Sequence, residues 1–377
     1  MKKKFFSMVL FFVLIFILFG IVVLGYFIYE EFFEETTEPS VYKIDKIYTE
    51  EPDIERNIVK ANESISELIS GDKNKEVSRD EYIQYTNQNL INSFFYNQLN
   101  DNQKKIYDGL MQNKQYLKQG DYVINFKNAF ADTLSQENGA DILGDDYQSA
   151  IEAFTHDNLD VFYIDVNKMY LNIETSTKFF KTTYNVYISA ANDSNYLSNE
   201  FQSKEKIEAA SLMIENEKNK VINSLKGTDY QNMLYIHDYL VDNLDYDSTY
   251  DKIGSYSIYG ALVEKKCVCE GYAKAFKYLA NCAGYECELM QGKATNNSGE
   301  TENHAWNCIK LNDKWYEVDV TWDDPIIIGG NGRTNNNIKY RYFLKGTNTF
   351  NKDHVLEYQF SDNGKKFLYP NLNANDY

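Results

Sequence analysis

Basic residues are the minority in this 377-residue chain. It holds 38 Lys and Arg against 56 Asp and Glu, which gives a net charge of −18. The basic side chains are scattered along the sequence rather than clustered. Nucleic acids and anionic lipid surfaces attract strongly basic patches, so this balance argues against both as partners. No internal repeat is present.

Cysteine is also scarce, and its pattern argues against a structural zinc site and excludes a lipoprotein anchor. All five cysteines lie between Cys267 and Cys308, in a Cys-x-Cys pair, a Cys-x₄-Cys pair and one isolated position. Structural zinc sites use paired Cys-x₂-Cys knuckles, which this spacing does not provide. No cysteine follows the apolar run near the N-terminus, which excludes a lipoprotein anchor. An odd count in an exported protein predicts at least one free thiol, with up to two disulfides of undetermined pairing.

The N-terminus carries the longest apolar run. Residues 5–29 are 25 uncharged, mostly apolar positions. As a helix they would span about 37 Å, more than a bilayer core of about 30 Å. A signal peptide has a shorter apolar region and a cleavage site of small residues, whereas this run ends in bulky ones. Lysines precede the run and glutamates follow it, so we expect a transmembrane helix with residues 1–4 in the cytoplasm and the rest outside.

The rest of the chain divides into four predicted regions: an acidic stalk over 30–79, an α+β domain over 80–195, a catalytic domain over 196–334, and a C-terminal extension over 335–377 that packs on it. Periodicity predicts helices over 80–118, 145–156, 200–225 and 229–244, and strands over 160–166, 168–175 and 178–189. The region 80–195 holds no cluster of reactive side chains. We expect His156 in a surface loop, and His237 and His354 as packed structural histidines.

A β-hairpin is predicted where 303–311 and 314–322 flank the turn formers Asn312-Asp313. A two-residue loop pairs positions whose numbers sum to 625. This register places one apolar set on a single face: Ala305, Ile309, Leu311, Tyr316, Val318 and Val320. It also makes His304 and Asp319 diagonal neighbours on the other face, with Cα atoms about 7–8 Å apart. That face mixes polar and tryptophan side chains, which favours a cleft.

A helix over 269–283 is predicted from apolar residues at helical spacing, with Gly284 just past its end. Cys269 lies at its start, where the partial positive charge of the helix favours the thiolate and free N–H groups could hold an oxyanion. Gly271 permits a close approach of another chain. The remaining cysteines lack this context and are small buried residues or disulfide partners.

Three segments together resemble the bacterial transglutaminase-like superfamily. They are Cys-Glu-Gly-Tyr-Ala-Lys-Ala-Phe from Cys269, Asn-His-Ala-Trp-Asn around His304, and Trp-Tyr-Glu-Val-Asp-Val-Thr-Trp-Asp-Asp-Pro around Asp319. The resemblance covers about residues 228–328. It implies a papain-like α+β fold, in which a helix bearing the nucleophile packs on an antiparallel sheet. By motif position, it also implies Cys269 as nucleophile, His304 as general base and Asp319 as the residue that orients it.

The resemblance implies thioester chemistry without a metal or organic cofactor. We expect a membrane-anchored extracellular cysteine acyltransferase that acts on protein or peptide substrates, including substrates associated with a cell wall. Two rivals are a cysteine peptidase or cell-wall amide hydrolase with the same triad, and a non-catalytic adhesion or scaffold protein.

Lesser features of the motifs leave alternatives open. Cys267 departs from relatives, which more often have glycine or alanine there, and it could form a disulfide or regulate Cys269. Tyr272, Trp306 and Trp322 are candidates for the walls of the substrate cleft. Core packing is the alternative for all three, and it is the stronger reading for Trp322.

Overall fold

The computed structural model describes residues 35–36, 40–43, 93–178, 181–191, 195–249, 253–296, 299–324, 339–360 and 364–377. The predicted cytoplasmic tail and transmembrane helix over residues 1–29 lie outside these ranges. Within them, no helix combines the length and the apolar character needed to cross a bilayer. The membrane span therefore stays a prediction.

The first half of the chain forms a five-stranded antiparallel sheet with helices packed beside it. Its elements are β1 (Glu35–Thr36), β2 (Ser40–Lys43), α1 (Asp101–Gln112), β3 (Ile124–Lys127), α2 (Ala131–Leu134), α3 (Gly139–Asp157), β4 (Met169–Lys178) and β5 (Lys181–Ala190). The strand order is β1-β4-β5-β3, and β2 also pairs with β4.

Within the predicted stalk, the short strands β1 and β2 pair with β4. The rest of the stalk lies outside the described residues, and the stalk stays a prediction. One prediction for this half was wrong. The predicted strand over 160–166 is absent, and short 3₁₀ turns at Leu159–Val161 and Val166–Lys168 lie there. Asp165 explains the second turn, because its side chain accepts a hydrogen bond from the backbone N–H of Asn167 and competes with strand pairing.

The second half packs helices on a four-stranded antiparallel sheet of order β10-β9-β8-β11. Its elements are α4 (Lys204–Ile222), α5 (Asp229–Asn243), β6 (Asp245–Tyr246), β7 (Lys266–Cys267), α6 (Cys269–Cys282), β8 (Cys287–Thr295), β9 (Thr301–Leu311), β10 (Lys314–Val318), α7 (Val320–Asp323), α8 (Thr347–Phe350) and β11 (His354–Glu357). The predicted α+β class, with a helix packed on an antiparallel sheet, is confirmed.

The β9–β10 hairpin has the register predicted from the sequence. Lys314 pairs with Leu311 and Tyr316 with Ile309, so paired numbers sum to 625. Asn312 and Asp313 have φ angles of 50° and 61°, as a two-residue turn of this kind requires. The second strand ends at Val318, four residues earlier than predicted. The chain then turns into α7, because the next side chain caps that helix.

One continuous apolar core extends through both halves of the chain. It is not interrupted near residue 195, where the sequence predicted a domain boundary. His156 lies in this core and not in a surface loop, because α3 continues through it. Its ring stacks on Phe360 with centroids 4.0 Å apart, and burial lowers the pKa of His156 to about 3, to which Lys274 and Lys277 contribute. The Lys277 ammonium of α6 also donates to the His156 carbonyl oxygen at 3.0 Å, which ties the halves together.

Residues 339–360 and 364–377 lie along both edges of the four-stranded sheet. Backbone bonds of 2.8 and 2.9 Å join Glu317 of β10 to Lys345, and β11 pairs with β8 at the opposite edge. A second, smaller apolar cluster fills the space between this segment and the sheet: Met290, Trp306, Cys308, Tyr342 and Phe350. The C-terminal segment thereby covers the sheet face that carries His304.

Candidate active site

Cys269 is the first residue of α6, as the sequence predicted. Val268 precedes the helix in an extended conformation and provides no side-chain cap. The first-turn N–H groups of a helix lack intrahelical partners, so they stay available beside the thiol. The Cys269 side chain is partly exposed, whereas Cys267 is buried.

The backbone before α6 is fixed by contacts with an earlier loop. Val268 N–H donates to the Ser255 carbonyl oxygen at 3.1 Å. The Ser255 hydroxyl donates to Asp247 at 2.6 Å, and the Asp247 N–H donates to the Cys267 carbonyl oxygen at 2.9 Å. A Cβ at Gly271 would lie 2.5 Å from the same Ser255 oxygen. The predicted close approach at Gly271 is confirmed, and it sets the position of the thiol.

His304 lies between the thiol and a buried carboxylate. Its Nε2 is 2.8 Å from Oδ2 of Asp319, and Cys269 lies near enough to the ring to affect its pKa. Because Nε2 serves Asp319, Nδ1 is the ring nitrogen left for the sulfur. Asp319 is 0% exposed and His304 4%.

The electrostatics of this arrangement favour a charged histidine. Burial by itself would lower the pKa of His304, but the Asp319 carboxylate and then Cys269 outweigh burial and raise it well above 6.5. Burial would likewise raise the pKa of Asp319, but His304 and His354 hold it far below its usual range. Asp319 is thus a carboxylate that stabilises an imidazolium.

Asp319 is held by the helix that it caps. Its Oδ1 accepts hydrogen bonds from the N–H groups of Thr321 and Trp322 at 3.0 and 3.2 Å, which leaves Oδ2 to face the histidine. The hairpin therefore brings the two groups together as predicted, although Asp319 reaches His304 from a helix cap and not from a strand.

The short helix α7 is itself anchored by His237, a packed structural histidine as expected. His237 Nε2 is 3.1 Å from Oδ2 of Asp323, and the backbone N–H of Tyr342 donates to the other oxygen at 2.9 Å. Burial raises the pKa of Asp323 to about 6, although His237 opposes the shift. These contacts fix the helix that positions Asp319.

His354 is the residue that sequence reasoning missed. We expected a structural histidine remote from the motifs, but its Nε2 lies 3.2 Å from the same Oδ2 of Asp319. It reaches the site because β11 pairs with β8 and β8 pairs with β9, which carries His304. No local motif marks it, and its membership of a set of only four histidines is the one signal in the sequence.

The three candidate cleft residues differ in exposure. Tyr272 is buried and its hydroxyl donates to Asp324 at 2.6 Å, while Trp306 is buried and its indole N–H donates to Glu317 at 3.1 Å. Both pack in the interior, so neither lines an open cleft. Trp322 is partly exposed and lies against His304 and His354, with ring centroids 5.4 and 4.7 Å away. Of the three candidates, Trp322 is thus the one that solvent reaches, although the sequence favoured core packing for it.

All five cysteines lie in the described residues, and all five thiols are free. The disulfides that the sequence left open are therefore not formed. Cys267, Cys287 and Cys308 are buried and Cys282 is exposed. Burial, and after it the neighbouring Cys269, raises the pKa of the Cys267 thiol well above its usual value, which makes Cys267 a poor nucleophile.

His304, Asp319 and His354 also offer three ligand atoms within 4.8 Å of one another. Oδ2 of Asp319 already accepts from both rings, so a metal ion would have to displace both hydrogen bonds. The geometry therefore fits a hydrogen-bonded nucleophilic site better than a metal centre.

Comparison with known proteins gives one family match and two curated relatives. Residues 218–320 match the transglutaminase-like superfamily model. The kyphoscoliosis peptidases of Mus musculus and Homo sapiens are each 30% identical to this chain over 98 residues, which cover 24% of this chain and 15% of theirs. The match thus spans only a small part of those relatives.

Among solved structures, one described as a TGase has a TM-score of 0.27 at 15% identity. The matched region covers 41% of this chain and 44% of the chain in that structure. This similarity is too weak to bear on function.

Replacing Asp319 with Asn should destabilise the protein by about 3–5 kcal/mol, because the amide keeps the cap of α7 but removes the charge that two buried histidines face. Denaturant unfolding measures the change. Asp313→Asn in the exposed turn is the matched control and should shift the free energy of unfolding by less than about 0.5 kcal/mol. Equal effects of the two substitutions would contradict the role assigned to Asp319.

Proposed function

We propose that the transglutaminase-like domain at residues 218–320 is a cysteine acyltransferase that acts on carboxamide or peptide carbonyl groups through a thioester. The match to the transglutaminase-like superfamily supports an enzymatic role for this domain. The observation that carries the proposal is the placement of the Cys269 thiol, at the start of α6, beside the His304 ring, whose Nε2 lies 2.8 Å from Oδ2 of Asp319.

In the first half-reaction the Cys269 thiolate attacks the carbonyl carbon. A carbon–sulfur bond forms and the carbonyl π electrons move to oxygen, where the backbone N–H of Cys269 at the start of α6 stabilises the charge. The oxygen electron pair then re-forms the carbonyl, the carbon–nitrogen bond breaks with its electrons going to nitrogen, and the His304 imidazolium gives its proton to that nitrogen. Ammonia or an amine leaves, and the acyl group remains as a thioester on the sulfur.

In the second half-reaction an acceptor amine attacks the thioester carbon and gives a proton to His304. The carbon–sulfur bond breaks, and the electron pair returns to the sulfur as a thiolate beside the imidazolium. With water as the acceptor, the same steps release a carboxylic acid, and the net reaction is hydrolysis. Asp319 keeps the ring oriented through both halves.

A cysteine peptidase is the second candidate, and a specific observation favours it. The two curated relatives, each 30% identical over 98 residues, are both named as peptidases. The thioester route is common to both candidates, so the acceptor alone separates them. A non-catalytic scaffold is the third candidate, and it is disfavoured because the thiol, the imidazole and the carboxylate are all present and the imidazole contacts the carboxylate.

We also propose that residues 5–29 anchor the protein in a membrane and that its protein or peptide substrate lies outside the cell. The support is the uncharged run and the charges that flank it. Intact cells expressing the full chain should then react at the exposed Cys282 with a membrane-impermeant maleimide, as read by peptide mapping. The Cys282→Ser variant is the control, and labelling that needs prior permeabilisation would overturn this orientation.

Loss of the imidazole should slow the reaction of Cys269 with iodoacetamide. We expect His304→Ala to lower the rate at pH 6–7 by about tenfold or more, because the thiolate loses its stabilising cation. Mass spectrometry of the alkylated peptides gives the rate. The exposed Cys282 of the same molecule is the internal reference and should be unaffected. If Cys269 reacted equally fast in both proteins, the activated nucleophile would be ruled out.

The acceptor can be identified with a glutamine-donor protein and a labelled primary amine. Incorporation of the amine by the wild type, and none by Cys269→Ser, is the result expected of an acyltransferase. Cleavage of the donor or release of ammonia without incorporation would instead establish the peptidase or hydrolase.

A further inference from the structure

One carboxylate oxygen of Asp319 lies within hydrogen-bond distance of two histidine rings. Oδ2 lies 2.8 Å from His304 Nε2 and 3.2 Å from His354 Nε2. On its other side, His354 Nδ1 lies 2.8 Å from Oδ1 of Asp353. Both nitrogens of the His354 ring therefore face carboxylate oxygens.

This arrangement favours a His354 ring that donates a hydrogen bond from each nitrogen. An ionised carboxylate only accepts hydrogen bonds, so both ring nitrogens must donate, and an imidazole donates from both only as the imidazolium. The second oxygen of Asp353 accepts from the Tyr342 hydroxyl at 2.6 Å and from Arg341 at 3.3 Å, which is the pattern of an ionised group. The geometry is that of a positively charged ring between the two carboxylates of Asp319 and Asp353.

We infer that His354 is a positioning residue for the reaction: it holds Oδ2 of Asp319 toward His304 and supplies the positive charge that compensates Asp319 while His304 lacks its proton. The inference rests on the proposed function. It makes the C-terminal segment part of the site, although that segment lies beyond the region that matches the family model.

The chemistry shows why such a charge is needed. In the resting site, His304 carries a proton and balances Asp319. Once that proton has gone to the leaving nitrogen, Asp319 would be an unpaired charge with no exposure to water, which is costly. His354 remains beside the Asp319 carboxylate at that step. After His304 has lost its proton, the positive His354 ring and the negative Asp319 carboxylate therefore still form a neutral pair in the interior.

The surroundings of His354 keep its charge unscreened. The ring is 2% exposed, and it packs against Phe350 and Trp322 with centroids 4.2 and 4.7 Å away, and against Trp306. The ionisable groups that face it are the carboxylates of Asp319 and Asp353, the His304 ring and the Tyr342 ring, and beyond them Arg341 on Asp353 and Asp323 near Asp319. Of these, His304 is the cation that competes with His354 for Asp319, at 5.6 Å between ring centroids.

The test uses nitrogen-15 NMR of histidine rings in the full chain, which holds only four histidines. At pH 6 the ring signal that is missing from His354→Gln should show protons on both nitrogens in the wild type. Gln keeps an N–H donor for Asp319 but cannot carry charge. In that variant we expect the pH at which His304 loses its proton to rise by about one unit, because a nearby positive charge has been removed.

The matched control is His156→Gln, the same change at a buried histidine in the other half of the protein, which should leave the His304 titration unchanged. If His354 had only a structural role, His354→Gln would also leave the His304 titration unchanged. An unchanged titration in His354→Gln would therefore overturn the inference. The signals of His156 and His237 report whether His354→Gln is folded. Should the variant fail to fold, a wild-type His354 ring with one unprotonated nitrogen at pH 6 would still overturn it.

One further variant separates this inference from the proposed function. If Cys269→Ser leaves the His304 titration as in the wild type, the thiol and imidazole are not coupled, and the proposed function fails. If Cys269→Ser shifts that titration but His354→Gln does not, only the role of His354 is lost.

Discussion

The structure of the site depends on one buried carboxylate. Asp319 has no exposure to water, and the hydrogen bonds that satisfy its side chain come from three parts of the chain. Its own helix α7 supplies two N–H groups, strand β9 supplies His304, and strand β11 supplies His354. A charge in the interior is tolerated only when it is fully paired, so this group requires the hairpin, the cap and the C-terminal segment to be in place together.

The thiol is positioned by a separate set of contacts. Helix α6 begins at Cys269, and the loop around Ser255 and Asp247 fixes the backbone before it. Gly271 allows this loop to lie against the first turn, where a side chain would collide with it. The nucleophile and its base therefore meet across two rigid elements, a helix terminus and a sheet, which is the kind of support that precise catalytic geometry requires.

The C-terminal segment is more than a cover for the sheet. Residues 339–360 and 364–377 pack on the face that carries His304, hold Asp323 through the Tyr342 backbone, and bring a second histidine to the shared carboxylate. Because this face is closed by aromatic side chains, electrostatic interactions within it are stronger than they would be in water. The same closure explains why Trp306 is interior while Trp322 stays at the edge of the site.

What the sequence determined by itself is local. The turn chemistry at Asn312-Asp313 set the hairpin register, and the alternation of apolar residues decided which face His304 occupies. The periodicity of residues 269–283 located the helix start at Cys269. Each of these follows from interactions between residues close along the chain, so spacing alone reveals them.

What only the tertiary structure decided involves residues far apart in sequence. His354 joins Asp319 through two successive strand pairings, and His156 is buried because α3 packs on the rest of the core. These outcomes depend on which distant surfaces become neighbours, and the order of residues along one segment carries no information about that.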